Sequence, residues 1–432
     1  MARTRGWARD RARVTLDTMP STPPEGEPAP ADGSLPASAL AELHGGAAGR
    51  EPATFGVYVH VPFCASRCGY CDFNTYTATE LGGGGAQARY AETVLAEIAL
   101  AARVLGGRPP GGVATVFFGG GTPTLLPPDD LARILDAVDA TFGLAPGAEV
   151  TTEANPESVT PQSLRALRRA GFTRLSLGMQ STATHVLRLL DRRHTPGRAA
   201  QAAVEAREAG FAHVNLDLIY GTPGETADDF AASLAAATAA GVDHVSAYSL
   251  IVEDGTRLAA RIRRGEIPEP DDDVAADRYL AADEHLTAAG LHWYEVSNWA
   301  RDGGACAHNL LYWRGGHWWG FGPGAHSHVG GVRWWNVRHP TAYGQRLGDG
   351  RSPAQARETL TPDDRHLEEV MLRLRLADGL PLASLASAEQ GAARRAATDG
   401  LLLPAELAAG RAVLSRDGRL LADRVIRDLV TA

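Results

Sequence analysis

Three cysteines, Cys64, Cys68 and Cys71, stand in the stretch FGVYVHVPFCASRCGYCDFNTY at C-x₃-C-x₂-C spacing, directly after an apolar β-like run. Thiolates are the ligands of iron–sulfur clusters, and a cubane cluster normally takes four. Three would leave one iron without a protein ligand, and an open coordination position is what reactive metal sites keep. The other reading is structural zinc, closed by Cys306 or a histidine. Zinc sites usually add a second C-x₂-C pair, and this chain has none. The spacing therefore points to a [4Fe-4S] cluster.

The elements that must position these sulfurs are legible in the pattern around them. From Val57 onward, short β-branched runs alternate with Ala-rich stretches of helical length. The runs predict strands at 57–61, 113–118, 149–154, 174–179, 213–220 and 244–251. The intervening patterns predict helices at 90–104, 130–141, 162–170, 197–209, 226–240 and 274–289. Such alternation indicates βαβ units and a parallel sheet, an α/β fold read here as a partial (β/α)6 barrel over residues 53–291. In parallel barrels the reactive side chains lie at the C-terminal strand ends. The cysteines follow the first strand, and the run Gly119-Gly120-Gly121-Thr122-Pro123 follows the second. Glu153, Gln180 and Asp217 fall at or near the ends of the third, fourth and fifth. Glycines at such a place let the backbone come close to a ligand.

At these residues the chain resembles the radical S-adenosylmethionine (radical SAM) superfamily, and within it the branch of oxygen-independent coproporphyrinogen III dehydrogenases and heme chaperones. The likeness runs from about Phe55 to about Val332 and continues weakly to the C-terminus. It implies a [4Fe-4S] cluster on Cys64, Cys68 and Cys71 and S-adenosyl-L-methionine (SAM) chelating the open iron. It further implies SAM contacts at Tyr58, Gly120, Gly121, Thr122 and Glu153, and a shield over the cluster at Tyr70. Read as residues alone, Tyr58 and Tyr70 are equally core aromatics and Glu153 a solvated cap. Gln180, Arg192 and Asp217 match positions that contact a second SAM in the dehydrogenase, and the sequence leaves open whether they do so here or line the cavity. Ile251 and His326 match SAM-lining positions less closely.

Two departures separate the branches. Phe73 stands where the dehydrogenase carries an additional cysteine, and His308-Asn309-Leu310-Leu311-Tyr312-Trp313 fits the H-N-x-x-Y-W element of the chaperone. Imidazole is a natural axial ligand of heme iron, and flanking aromatics can stack on a porphyrin face. Without the resemblance His308 reads as a core histidine; with it, as a heme contact. Cys306 reads as an alternative thiolate ligand or, more commonly for this residue type, a buried free thiol. The resulting expectation is a heme chaperone that binds heme and hands it to acceptor proteins. Its rival is an enzyme that oxidatively decarboxylates coproporphyrinogen III through a 5′-deoxyadenosyl radical. A SAM-dependent RNA-modifying enzyme shares the core, but a net charge of −9 and the lack of a basic, aromatic-interleaved region weigh against nucleic acid.

With 432 residues the chain has room for one large and one small domain. Four cysteines, three of them in one motif, suit a reducing compartment, hence a cytoplasmic location. No apolar run is long enough to span a membrane. All 42 basic side chains are arginine, a coding bias that cautions against over-reading any one of them. Residues 1–52 read as a disordered Pro-rich tail, with Met19 as the expected true start. Residues 292–355 form an aromatic-rich extension holding seven of the eight tryptophans. Residues 356–432 read as a winged-helix-like module of short helices closed by a hairpin around Asp417-Gly418. Nothing in the sequence decides oligomeric state, and a homodimer is left open.

Overall fold

The computed structural model describes residues 26–45 and 54–432. Six strands form in chain order: β1 (Phe55–Val61), β2 (Val113–Gly120), β3 (Leu144–Ala154), β4 (Arg174–Gln180), β5 (His213–Tyr220) and β6 (His244–Ser249). Each pairs in parallel with the next, giving the partial barrel that the alternating pattern predicts. All seven residues of β4 are buried, as expected of parallel strands covered on both faces. Two of the covering helices begin in capping boxes: Thr160 accepts from the Ser163 N–H and Thr226 from the Asp229 N–H.

The aromatic-rich extension is not a separate attachment. The strand His317–Phe321 pairs in parallel with β1, and three antiparallel strands continue from it. On the opposite side, Asn298–Ala300 pairs with β6. The result is a single 13-stranded sheet, and Trp299, Trp319 and Trp334 belong to the same apolar core as the barrel strands. Among the described residues no helix is long and apolar enough to cross a membrane.

Two expectations are corrected. The N-terminal tail is ordered in part: Glu27–Pro28 pairs with the strand Ala354–Thr359, and the helix Ala37–Gly45 buries Ala39 and Leu43 in the main core. Composition pointed to disorder because the segment's few apolar residues bury surface only against a partner far along the chain; Glu42 meets Arg365 at 2.9 Å. The remainder of that tail, with Met19 and the Arg-rich start, lies outside the described residues. The C-terminal hairpin is also absent. Asp417 and Gly418 lie in a short helix, Arg416–Leu420, where Ser415 accepts from the Gly418 N–H at 3.0 Å. A helix, Ala422–Val430, follows and buries Val425, Ile426 and Leu429. That spacing is helical, and burial on a second core shared with Val370, Leu380 and Ala393 outweighs the local turn propensity. The C-terminal module is therefore helical, with one two-stranded ribbon of Leu380–Pro381 and Arg411–Ala412.

Candidate cluster and SAM site

The three cysteines share one loop leaving β1, all half-buried and unpaired. Phe63–Cys64 pairs with Tyr76–Thr77. Farther along, Gly69 donates to Leu190 O (3.0 Å) and accepts from Leu258 N (2.8 Å), tying the loop to the ends of the barrel. Burial pushes the Cys64 thiol up and Cys71 to about 11, so a thiolate here requires a cation beside it, as an iron cluster supplies. Arg192 contributes one: its Nη1 lies 3.7 Å from Cys68 Sγ while Nη2 donates to Gly178 O at 2.9 Å. Its Nε is buried with no protein partner.

The glycine turn follows β2 as expected. Gly121 N donates to Val61 O and Thr122 N to Phe63 O, both at 2.8 Å. Only glycine fits: a Cβ on Gly121 would meet Phe63 O at 2.5 Å, and one on Gly120 (φ 110°) would meet the His60 ring at 2.6 Å. Glu153 accepts from the Gly120 N–H at 3.0 Å. Burial, followed by the neighbouring Asp217, pushes Glu153 up to about 8. Burial also raises Asp217, whose oxygens accept from Asn215 Nδ2 at 2.6 Å and Ser176 Oγ at 3.2 Å. Gln180 closes β4 in the left-handed region at φ 65°, where β4 and β5 slip register. Such a backbone at a non-glycine residue costs of order 1–3 kcal/mol and clusters at functional sites. Its amide and the Arg192 guanidinium converge on Gly178, whose Cβ would meet them at 2.8 and 2.7 Å. Among the described residues, two buried carboxylates without a direct salt bridge, an orphaned guanidinium nitrogen and a glycine cradle fit a ligand with both positive and negative groups, as SAM has.

Tyr58 points into this space and pairs with His60 Nδ1 at 3.0 Å. Because His60 Nε2 must donate to Asn74 O (2.9 Å), the Tyr58 hydroxyl is the donor to Nδ1. His60 was missed from sequence, although the period-two alternation of VYVHV puts it on the face of Tyr58. Tyr248, likewise missed, is about half exposed on β6, and burial of its hydroxyl followed by Asp217 pushes its ionisation up. Tyr70 packs against the cluster of Val186, Leu190, Leu250 and Leu258, matching its core reading. Ile251 is exposed just past the end of β6. His326 stacks on Trp335 at 5.8 Å, on a strand beyond the six of the barrel.

His308 is not brought to this mouth. It opens the helix Ala307–Trp313 beneath the other end of the barrel and is only 2% exposed. Thr115 Oγ1 bonds its Nδ1 at 2.8 Å, and the Tyr312 hydroxyl bonds its Nε2 at 2.9 Å. Phe117 and Tyr58 stack above it at 5.2 and 6.4 Å, and burial lowers it to about 3. Beside it Glu149 accepts from the His308 N–H (3.1 Å), the Cys306 thiol (3.4 Å) and Arg174 Nε (2.8 Å). Burial opposes ionisation of Glu149, but Arg174 and the His308 and Ala307 N–H donors together outweigh it, so the carboxyl sits below its ordinary range. Cys306 is thus a buried free thiol, 6% exposed. From Arg174 at this floor to Gln180 at the mouth is about 20 Å of strand, which rules out Cys306 as a fourth ligand to the three-cysteine site.

Comparison with known proteins agrees with this architecture. The profile of the Radical SAM superfamily matches residues 58–237. A protein named heme chaperone HemW from Mycobacterium tuberculosis (strain ATCC 25618 / H37Rv) is 56% identical, over 87% of this chain and 95% of its own length. The heme chaperone HemW of Escherichia coli (strain K12) is 36% identical over 75% of this chain and 83% of its own. Among solved structures, coproporphyrinogen III oxidase (HemN) from Escherichia coli superposes with a TM-score of 0.75 at 24% identity, covering 93% of this chain and 94% of that one. Fold and site together define a radical SAM protein. Within that superfamily, the chain belongs to the HemW family.

Proposed function

We propose that this protein is a heme chaperone carrying a SAM-ligated [4Fe-4S] cluster, taking up heme and passing it to acceptor proteins in the cytoplasm. The observation that carries the reading is the 56% identity to a protein named heme chaperone HemW along 95% of that relative's length. Phe73 supports it. The side chain is 62% exposed beside Cys71, and the loop offers no thiol beyond its three ligands. When bound, the cluster and SAM supply a redox centre at the barrel mouth. The chain's part is to hold three sulfurs, to place Arg192 beside Cys68, and to present Glu153 and Asp217 to the ligand. The Gln180 amide and the Arg192 guanidinium meet at Gly178, with the Asp217 carboxyl acting on Arg192, and we assign the three to the wall of the SAM site.

We assign heme ligation to His308 in the loaded state. An imidazole binds iron through one nitrogen, so either Nδ1 must first give up Thr115 or Nε2 must give up Tyr312, and uptake includes movement of the helix Ala307–Trp313. Heme titrated into anaerobically reconstituted protein should give a Soret band that weakens in His308→Ala; an unchanged band removes His308 from the scheme. Measuring 5′-deoxyadenosine and tetrapyrrole product in the same reduced sample tests the enzymatic alternative. Turnover of coproporphyrinogen III would overturn the chaperone assignment.

A further inference from the structure

Asn74 lies three residues beyond Cys71 and commits each of its side-chain polar atoms to fixing the cluster loop. Its Nδ2 donates to Pro323 O and Arg338 O, each at 2.9 Å. Its Oδ1 accepts from the Tyr76 hydroxyl at 3.1 Å and Arg338 Nε at 3.3 Å, and its backbone carbonyl accepts from His60 at 2.9 Å. Pro323 and Arg338 belong to the aromatic-rich extension, 249 and 264 residues away in the chain. The approach is close: a Cβ on Gly324 would stand 2.5 Å from Asn74 Nδ2. Glu97 in turn holds that turn of the extension. Only 1% exposed, it accepts from the Gly322 N–H at 2.9 Å, from Asn336 Nδ2 at 2.8 Å and from the Tyr343 hydroxyl.

We propose that Asn74 is a positioning residue for the iron–sulfur site, and that the extension, braced by Glu97, is a working part of that site. The inference rests on reading Cys64, Cys68 and Cys71 as cluster ligands. Three sulfurs bind a cluster tightly only if their loop is ordered beforehand, because backbone ordering otherwise opposes binding residue by residue. Within the loop, Cys71 N reaches Cys68 O at 3.4 Å, and Arg67 bonds Thr75 O. Asn74 adds the anchor outside it, to the turns of the extension at Pro323 and Arg338. Aspartate would keep the shape but remove both N–H donors, leaving two carbonyls facing a carboxylate.

The test compares wild type, Asn74→Ala, Asn74→Asp and, from the far side of the contact, Gly324→Ala. Each is reconstituted without oxygen, and cluster loss to an iron chelator is followed by visible absorbance, alongside the EPR signal of the reduced cluster and the thermal midpoint. Loss should run about tenfold faster in the Asn74 variants, the worth of one or two hydrogen bonds. Gly324→Ala should accelerate it in the same direction and beyond what its own lowered midpoint explains, since alanine at φ 77° is strained in itself, while the Asn74 variants keep thermal midpoints near wild type. Wild-type loss rates in both Asn74 variants would overturn the inference, as would acceleration that merely tracks a fallen midpoint. Wild-type protein that takes up no iron would instead overturn the cluster assignment itself, and the inference with it.

Discussion

Raising the pH from 7 to 9 should tighten SAM binding, and Glu153 is the protein's reason. Burial and Asp217 hold this carboxyl at about 8 in the SAM-free protein. At pH 7 roughly nine-tenths of the molecules therefore carry it protonated. A ligand that needs the carboxylate must first displace that proton, at about 1.4 kcal/mol for the one-unit gap. At pH 9 that cost has nearly vanished, so the dissociation constant should fall about tenfold through this group. The α-amino group of SAM also titrates near 8 and adds a slope of its own. The diagnostic quantity is consequently the slope lost in Glu153→Gln. Calorimetric titration of SAM into cluster-replete protein at pH 7, 8 and 9 measures it. Equal slopes in wild type and variant would refute the reasoning. The same shift has a stability sign. A carboxyl raised on folding contributes stability at low pH and loses it as pH climbs through about 8. Glu153→Gln should accordingly raise the melting temperature of SAM-free protein at pH 9 but not at pH 5.

Three further outcomes follow from other parts of the fold. Serine at Cys64, Cys68 or Cys71 should abolish iron uptake, while Cys306→Ser should leave iron content unchanged, because that thiol lies at the opposite end of the barrel; equal losses would contradict the site. Arg419→Ala removes two 2.9 Å bonds to Asp283 and a guanidinium 4.5 Å above Trp293. It should weaken seating of the C-terminal module by about 2–4 kcal/mol, read as faster hydrogen exchange across residues 416–430 with the barrel unaffected. Thr115→Val frees one nitrogen of His308 and should speed heme association about fivefold, one hydrogen bond's worth. Stopped-flow absorbance in the Soret region measures this, and an unchanged rate would mean that release of His308 does not limit uptake.

Some of this was written in local residue order and some was not. The six barrel strands announced themselves because strands buried on both faces read as largely apolar runs of strand length, and His213–Tyr220 matches its predicted bounds. Once the strands were placed, the rule of C-terminal strand ends gathered the cysteines, Gly120, Glu153 and Gln180 without coordinates. Local propensity misled where long-range burial overrode it: Asp417-Gly418 reads as a hairpin turn, but Val425, Ile426 and Leu429 need a helix to reach their core. Composition misled at Ala37–Gly45, whose partners lie some three hundred residues on.

By itself, then, the sequence determined the three-cysteine motif and the sheet that carries it, since C-x₃-C-x₂-C spacing and strand periodicity act over a few residues. Only the tertiary structure decided what each side chain is free to do. It sealed His308 between Thr115 and Tyr312, moved Cys306 to the floor, and set Asn74 against carbonyls from the extension. The physical reason is that burial and hydrogen-bond commitment depend on groups hundreds of residues apart, and no local pattern records which of them meet.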